Sequence, residues 1–408
     1  MLADTVSSPR IAMSPEPTRP TRWNVVLLSV GAGVAGACLI GKVPPALPTL
    51  RAEFGLSLVA AGWLASLMSV LGASLGIAVG SMVDRLGRRR TIVGALLVMA
   101  AGSVVAAFAE SAAALFVARF AESVGFVAAV IAAPSIIAEA ATREDQRFAF
   151  GLWGTYIPTG IAIAMVLTPV MLGDFGWRGA SLLAALPALA VALGLALVFR
   201  GTPTAAVPAR GLRDLKEAAR LPGPWIAGAA FSFYAFQWFI VMTWLPTLLV
   251  ETMGYDARAA GLLTAAVVFV NAFGNVMGGA LLARGARSWL LMALVALIQA
   301  SAMPFAFSDA MREAFRYGAV LVFSFFGGML PASVFASVPL LAPRAPLLGL
   351  VNGLIVQCSN LGSVLGPPVY AWAVLRLGGW DKGGFVLLVA STAVFVLALA
   401  LRPLEVRA

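Results

Sequence analysis

Apolar runs of about 20 residues recur along this 408-residue chain, and they restrict what it can fold into. A helix of that length, rising about 1.5 Å per residue, crosses a hydrocarbon layer about 30 Å thick. Runs such as 182–199 and 385–401 are apolar on every face, whereas strands of a membrane barrel alternate apolar and polar residues. The sequence therefore predicts an all-α membrane protein.

The number of spans follows from the spacing of these runs. Only 11% of the residues are charged, compared with about 25% in soluble domains, so lipid is the expected solvent. We predict twelve transmembrane helices, at 24–48, 58–82, 91–109, 113–137, 148–172, 179–199, 223–249, 258–283, 288–307, 314–340, 347–374 and 383–402.

The distribution of Lys and Arg predicts the orientation, because cytoplasmic loops are enriched in them. With both termini inside, 19 of the 28 basic residues fall on the inner side and 7 on the outer side. We therefore predict a multi-pass protein of the plasma (inner) membrane with both termini cytoplasmic, and we interpret the formal charge of +10 as a topology signal rather than nucleic-acid binding. Trp177 and Trp380 end spans on the outer side, where indole rings prefer the interface.

The polar segments predict the domain boundaries. Residues 1–22, rich in Pro, Ser and Arg, are expected to be a disordered cytoplasmic tail. The longest polar connection separates spans six and seven, which predicts an N-terminal six-helix bundle at 23–200, a cytoplasmic linker at 201–222 and a C-terminal six-helix bundle at 223–402. Residues 210–220 of the linker fit either a short amphipathic helix on the membrane surface or a solvated connection.

The two halves share residues at a constant spacing of 199 positions. The matching pairs are Gly55 and Gly254, Gly62 and Gly261, Gly80 and Gly279, and Arg85 and Arg284. A repeat of this length is too long for a stacked array of small units, so it indicates a duplicated domain. We therefore expect two pseudo-symmetric bundles.

A dense basic loop, Gly80-Ser-Met-Val-Asp-Arg-Leu-Gly-Arg-Arg-Arg90, lies between spans two and three. The loop motif of the major facilitator superfamily (MFS) has the form Gly, three residues, Asp, Arg, one residue, Gly, Arg, and Arg or Lys. Every place in it is filled here, by Gly80, Asp84, Arg85, Gly87, Arg88 and Arg89. With this motif, the chain resembles an MFS secondary transporter. The resemblance covers nearly all of its length.

The resemblance implies the MFS fold, alternating access, no enzymatic activity and no cofactor. It also implies that the loop is a gating motif whose contacts break and re-form. A plain positive anchor would explain the arginines of the loop, but it would not explain the glycine and the aspartate at fixed places.

Three further segments refine the resemblance. Arg119-Phe-Ala-Glu122-Ser-Val-Gly125 resembles the family's helix-four motif, with Glu in place of Gln. The helix-five antiporter motif is not present in 151–169, which argues against a drug/proton antiporter. The run from Gly41 to Pro48 is similar to the cyanate and nitroimidazole permease branch.

Three ionisable residues lie inside predicted spans, where such groups are functional candidates because burying them is costly. Lys42 lies in span one, and Arg119 and Glu122 lie one turn apart on one face of span four. In the family, helices one and four line the central cavity, so the resemblance implies that these groups meet there. We predict that Lys42 and Arg119 bind a small anion, with Glu122 holding Arg119 or exchanging a proton. Alternatively, Lys42 snorkels to the outer interface, and Arg119 and Glu122 form a structural ion pair.

Neutral polar residues within the spans form a second set of candidates for substrate binding. They are Tyr156, Gln237, Asn271, Asn275, Gln357 and Asn360. Hydrogen bonding between helices is the alternative use of such side chains in membranes. We expect no metal site and no cofactor, since the chain has no His and no phosphate-binding loop.

These features predict a secondary active transporter of a small organic or inorganic anion. It would work as a monomer in the lipid bilayer, with a proton or a counter-solute in symport or antiport. The alternative is a proton-coupled exporter of lipophilic or cationic drugs, in which Glu122 would bind the substrate. A channel or a membrane enzyme fits less well, because a two-fold repeat with one gating motif is typical of neither.

Overall fold

The computed structural model describes residues 20–199, 212–307, 310–344 and 347–406, except for the side chains of 75–85, 147, 212, 213, 215 and 406. Almost all of these residues are helical. The helices are α1 (Trp23–Gly41), α2 (Val43–Phe54), α3 (Leu58–Leu86), α4 (Arg88–Ala107), α5 (Ala112–Ala140), α6 (Gln146–Gly154), α7 (Tyr156–Val198), α8 (Leu212–Arg220), α9 (Pro222–Met253), α10 (Ala257–Ala283), α11 (Ser288–Ala306), α12 (Glu313–Gly327), α13 (Met329–Leu341), α14 (Leu348–Leu377) and α15 (Gly384–Val406).

The helices give the twelve predicted passes. Ten helical stretches of the described chain are long and apolar enough to cross a membrane. One of them, Phe148–Val198, has 51 residues and contains two passes, because the backbone turns at Gly176 with a φ of 66°. The remaining pass is α3, whose 29 residues are also long enough to span.

Prolines explain the break in the first span. Helix α1 ends at Gly41 and α2 begins at Val43, so Lys42 lies at the junction. Pro44 and Pro45 follow at once, and neither has an N–H group to donate to the preceding turn. The junction therefore contains backbone carbonyls without their usual helical donors.

The two halves are packed in the same way. Helix α1 packs on α7 as α9 packs on α14, and α4 packs on α7 as α11 packs on α15. Each contact in the first half thus has a counterpart between the corresponding spans of the second half. The structure is thus two pseudo-symmetric six-helix bundles, as the spacing of 199 residues predicts.

The halves meet along α3 with α14 and along α7 with α10. A Cβ atom at Gly62 would lie 2.8 Å from the backbone of Pro368, and one at Gly261 would lie 2.6 Å from the ring of Pro169. Glycine is needed at these points because the facing helices approach so closely. Both contacts lie at the end of the molecule that carries Arg51, which we call the Arg51 end; the opposite end, which carries Arg89, is the Arg89 end.

Ion pairs also join the halves at the Arg51 end. Arg51 Nη1 lies 3.4 Å from Glu251 Oε1, and Arg258 Nη2 lies 3.8 Å from Asp174 Oδ1. Of the ion pairs between described residues, these two connect one half to the other. The molecule is therefore closed at the Arg51 end.

The predicted tail and linker are described in part. Residues 1–19 and 200–211 lie outside the described residues. Thr21, at the end of the predicted disordered tail, donates to Asp145 Oδ2 at 2.5 Å and is therefore held in place. The described part of the linker forms the short helix α8. Arg344, in the loop after α13, holds this helix through ion pairs with Asp214, at 3.4 Å, and with Glu217.

Gly62→Ala should open the Arg51 end. The added methyl group would meet backbone atoms that cannot move aside, and such overpacking costs about 1–3 kcal/mol. In a background without Cys38 and Cys358, spin labels at the exposed residues Ala52 and Thr252 would report the separation of the halves by double electron–electron resonance. We expect a longer distance population in Gly62→Ala.

The matched control for this experiment is Gly279→Ala, since a Cβ atom at Gly279 meets nothing within 4 Å. It should leave the distance distribution unchanged. Identical distributions in Gly62→Ala and the unsubstituted protein would contradict close packing at this point.

Candidate functional site

The three ionisable residues predicted inside the spans lie together in the N-terminal half. Lys42 lies at the junction of α1 and α2, and Arg119 and Glu122 lie on one face of α5. All three are buried, with exposed fractions of 8%, 3% and 1%. Lys42 therefore points into the protein and does not snorkel to an interface.

Glu122 is the centre of this charged cluster. Lys42 Nζ donates to Glu122 Oε1 at 2.6 Å and to Ser103 Oγ at 2.6 Å, and Ser103 Oγ donates to the same carboxylate oxygen at 2.9 Å. Arg119 Nη1 donates to Glu122 Oε2 at 2.8 Å. Both carboxylate oxygens are thus engaged by cations.

Arg119 also links the cluster to the backbone of two neighbouring helices. Its Nη1 donates to the carbonyl of Leu39 at 2.5 Å, one turn before the junction at Lys42, and its Nε donates to the carbonyl of Leu64 in α3 at 3.3 Å. Hydrogen bonds from a charged donor to carbonyls are strong in a dry interior. The guanidinium therefore holds the broken first span against α3 and α5.

The cluster carries more positive than negative charge. Lys42 and Arg119 supply two cations, and Glu122 supplies one carboxylate, which leaves an excess of one positive charge. The Nη2 atom of Arg119 is buried and has no hydrogen-bond partner among the described residues. A buried charge without a partner is costly, so this arrangement is suited to accept an anion.

A pocket lies directly beside the cluster. Its polar lining consists of Lys42, Arg119 and Glu122 together with Thr168, Ser181 and the indole of Trp177. We expected the charges to face the cavity between the two halves. All residues that line this pocket instead fall between 42 and 181, so its walls belong to the N-terminal half alone.

Trp177 forms part of the pocket wall. Its Nε1 donates to the carboxylate of Glu53, its ring meets that of Phe54 edge-on with centroids 5.4 Å apart, and the guanidinium of Arg178 lies 4.3 Å above it. The residue is 5% exposed, whereas the sequence predicted an indole at the lipid interface. The positive φ at Gly176 turns the chain so that Trp177 points inward.

Two of the neutral candidates hold helices of the C-terminal half together. Gln237 accepts a hydrogen bond from Ser391 Oγ at 2.6 Å, which joins α9 to α15. Asn271 Nδ2 donates to Tyr234 Oη at 3.2 Å and to the carbonyl of Ser324 at 2.7 Å, which joins α10 to α9 and α12. These bonds agree with the alternative prediction, in which such side chains join helices rather than bind substrate.

Gln357 and Asn360 lie at the contact between the halves. Gln357 Nε2 donates to the carbonyl of Ala73 in α3 at 3.0 Å. The amide of Asn360 lies close to Gly72 of α3: a Cβ atom on Gly72 would be 2.8 Å from Asn360 Nδ2. Both side chains therefore face the partner half.

The remaining two candidates lie elsewhere. Tyr156 stacks on Trp153 with centroids 4.3 Å apart, next to Gly33 of α1. Asn275 is exposed on α10. The six neutral residues therefore do not form one ring around the charged cluster.

Comparison with known proteins identifies the family. A sequence model described as Major Facilitator Superfamily matches residues 25–367. The chain belongs to the Major Facilitator Superfamily. It is therefore a multi-pass membrane transporter of small molecules and not an enzyme.

Two relatives in the superfamily match along most of their length. The protein described as "Probable sulfoacetate transporter SauU" of Cupriavidus necator is 26% identical over 369 residues, which cover 83% of this chain and 84% of the relative. The 3-(3-hydroxy-phenyl)propionate transporter of Escherichia coli is 27% identical over 366 residues, which cover 84% of this chain and 86% of the relative.

A solved structure supports the fold. A bacterial homologue of the human lysosomal transporter Spinster, in an inward-facing and unoccupied conformation, aligns with a TM-score of 0.76. The alignment covers 96% of both chains at 17% sequence identity. The twelve-helix arrangement of the superfamily is therefore present here.

The superfamily's loop motif lies at the Arg89 end. Gly80, Asp84 and Arg85 belong to α3, and their side chains lie outside the described residues. Gly87 has a φ of 84° and connects α3 to α4, a conformation that favours glycine.

The described arginines of the motif follow directly after this turn. Arg88 begins α4 and is partly buried, and Arg89 forms an ion pair with Glu139 and lies 5.5 Å from the ring of Phe199. Both of these partners belong to the N-terminal half. The gating role of the motif stays a prediction.

Sequence reasoning missed three hydroxyl residues of this region. Ser103 contributes to the charged cluster, and Thr168 and Ser181 line the pocket. Each is a hydroxyl residue among apolar sequence neighbours, which is a weak signal because hydroxyl groups often bond to their own helix. Their importance depends on contacts with other helices, which the spacing along one helix does not reveal.

Glu122→Gln should destabilise the protein more than Lys42→Met. Removing the carboxylate leaves two buried cations without a counter-charge, and breaking a buried pair in this way costs about 3–5 kcal/mol. Removing Lys42 leaves a balanced pair of Arg119 and Glu122. Thermal unfolding of the purified protein in detergent should show the lower melting temperature for Glu122→Gln.

Glu139→Gln is the control for this comparison. Glu139 also forms an ion pair, with Arg89, but its side chain is 44% exposed. Exposed pairs contribute about 0–1 kcal/mol, so the melting temperature should change little. Equal melting temperatures for Glu122→Gln and Lys42→Met would contradict a net positive cluster.

Proposed function

We propose that this transporter carries a small organic anion and that Lys42, Arg119 and Glu122 form its charged binding site. The observation that supports this proposal is the excess of one positive charge in the buried cluster, together with the unpartnered Nη2 of Arg119. A bound carboxylate would neutralise the excess and satisfy that nitrogen. Binding would thus be driven by electrostatic complementarity in a dry site.

The relatives support the same class of substrate. Sulfoacetate and 3-(3-hydroxyphenyl)propionate, which appear in the names of the two relatives, are both anions at neutral pH. Both carry a carboxylate; sulfoacetate also carries a sulfonate and is a dianion, so 3-(3-hydroxyphenyl)propionate is the example with a single negative charge. The unpartnered Nη2 of Arg119 is suited to this group, since a hydrogen bond from a guanidinium to a carboxylate is charge-assisted and strong.

The cluster argues against the alternative of a cationic-drug exporter. A transporter of cations needs an available carboxylate near its site. Both oxygens of Glu122 are already bonded to Lys42 and Arg119. A cation entering this site would also meet the positive excess.

We further propose that the N-terminal bundle (23–200) and the C-terminal bundle (223–402) rock against each other about the interface along α3 and α14, with 201–222 as the cytoplasmic linker between them. Because basic residues concentrate at the Arg89 end, we place that end and both termini in the cytoplasm of an inner membrane. The closed Arg51 end would then be external, and the structure would be inward-facing. In the opposite state, the motif at Gly80 to Arg89 would close the cytoplasmic side.

The remaining sequence candidates take secondary roles in this proposal. Gln357 and Asn360 would guide the relative movement of the halves, because they bridge the interface near its middle. Tyr156 and Asn275 are proposed to contact the substrate on its path. A coupling proton or a counter-solute would supply the driving force, and the monomer in the bilayer is the proposed working unit.

Counterflow in proteoliposomes tests the proposed function. Vesicles loaded with an unlabelled acid should take up labelled monocarboxylates, and they should not exchange tetraphenylphosphonium, a lipophilic cation. Lys42→Ala and Arg119→Ala should each reduce exchange at least tenfold, since each removes the positive excess and leaves the site neutral.

Arg316→Ala is the matched control, because Arg316 is also a buried arginine, 5% exposed, but lies in the C-terminal half. It should exchange at a rate close to that of the unsubstituted protein. Exchange of the cation without exchange of any carboxylate, or normal exchange by both cluster variants, would disprove the proposal.

A further inference from the structure

We propose that the pocket inside the N-terminal half binds the head group of a monocarboxylate with a short apolar body, and that Thr168 and Ser181 help to select it. This inference rests on the proposed function and specifies its substrate class and the position of the binding site. It places the substrate head group within one bundle, away from the plane where the two halves meet.

The position of the pocket follows from its walls. The lining residues come from α2, α3, α4, α5 and the two passes of α7, all of which belong to the N-terminal half. Residues of the close contacts between the halves, such as Gly62 and Gly261, are not among them. A ligand in this pocket would move with the N-terminal half when the bundles rock.

Three polar groups of residues that line the pocket have no hydrogen-bond partner within the described ranges of the chain. Arg119 Nη2 has no hydrogen-bond partner among the described residues. No hydrogen bond joins the hydroxyl of Thr168 or of Ser181 to another side chain or backbone group in the described part of the protein. All three side chains are more than nine-tenths buried, with residue exposures of 3%, 4% and 8%.

This set of donors matches one carboxylate. The two hydroxyl groups and Arg119 Nη2 can donate to its two oxygens, and Lys42 and Arg119 provide the counter-charge. Hydrogen bonds between a charged acceptor and such donors are stronger than neutral ones. After one negative charge has bound, the charges of the cluster are balanced.

The rest of the wall is apolar and selects the body of the ligand. It consists of Val43, Ala46, Leu50, Leu64, Ala106, Leu115 and Ala180. A second carboxylate would have to leave water for this apolar surface without a cation to balance it, which is costly. The pocket therefore favours monoanions over dianions of the same length.

Trp177 makes one part of the pocket wall rigid. Its indole donates to the carboxylate of Glu53 and contacts Phe54 and Arg178, so it is held in place. Rigid walls limit the length of the apolar body that can fit. We therefore expect acids with a short chain to bind better than longer ones.

Isothermal titration of the full-length purified protein with butyrate and with succinate tests this inference. Both acids have four carbons, but at pH 7 butyrate carries one negative charge and succinate carries two. Butyrate should bind at least tenfold more tightly than succinate. Equal affinity, or tighter binding of succinate, would overturn the inference.

Hydroxyl variants locate the binding site in the same experiment. Thr168→Val, which keeps the shape of the side chain, and Ser181→Ala should each weaken butyrate binding about tenfold. Thr264→Val is the matched control, because Thr264 is fully buried in the C-terminal half and bonded to its own helix through the carbonyl of Ala260. It should bind butyrate like the unsubstituted protein, and unchanged binding in both pocket variants would overturn the inference.

Counterflow with the same variants separates the two proposals. If the unsubstituted protein exchanges carboxylates while Thr168→Val and Ser181→Ala bind and exchange them normally, the pocket is wrong and the anion-transport proposal stands. If the unsubstituted protein exchanges no carboxylate at all, the proposed function itself fails. Reduced exchange in both pocket variants, with normal exchange in Thr264→Val, supports the pocket.

Discussion

The carboxylate of Glu122 holds the centre of the N-terminal half together. It is 1% exposed and is bonded to Lys42 from the first span, to Ser103 from the third and to Arg119 from its own helix. In a protein solvated by lipid, such charges persist only when they neutralise one another or a ligand. The cluster therefore fixes where three spans meet, and its incomplete neutralisation defines where an anion can bind.

The broken first span makes this arrangement possible. Pro44 and Pro45 interrupt the helix after Lys42, and Arg119 donates to the carbonyl of Leu39 one turn earlier. Irregular backbone inside a membrane is tolerated where its polar groups find partners within the protein. The same arginine thus adds a donor to the backbone next to the break and leaves one nitrogen without a partner among the described residues beside the pocket. Nε and Nη1 of Arg119 therefore hold the helices together, whereas Nη2 is proposed to bind the anion.

Much of the architecture could be predicted because lipid imposes simple rules. Runs of apolar residues fix the passes, and the shared spacing of 199 residues between pairs such as Gly62 and Gly261 indicates two halves. The charged residues Lys42, Arg119 and Glu122 could be selected individually, since any ionisable group within a span is unusual. What could not be predicted was which cavity they face, because a helix of one half can turn the same residue toward its own bundle or toward the other half.

Contacts between distant parts of the chain explain the remaining differences. Trp177 is buried because Gly176 turns the backbone and Glu53, more than a hundred residues earlier, accepts its hydrogen bond. Gln237 and Asn271 bond to neighbouring helices rather than to a cavity, a choice that their own helices do not encode.

The central claim is that the positive excess of the cluster drives anion binding. The most direct test is the dissociation constant of butyrate for the unsubstituted protein, Lys42→Arg and Lys42→Met. We predict that Lys42→Arg stays within a few fold of the unsubstituted protein while Lys42→Met binds at least tenfold more weakly, and unchanged affinity in Lys42→Met would contradict the claim.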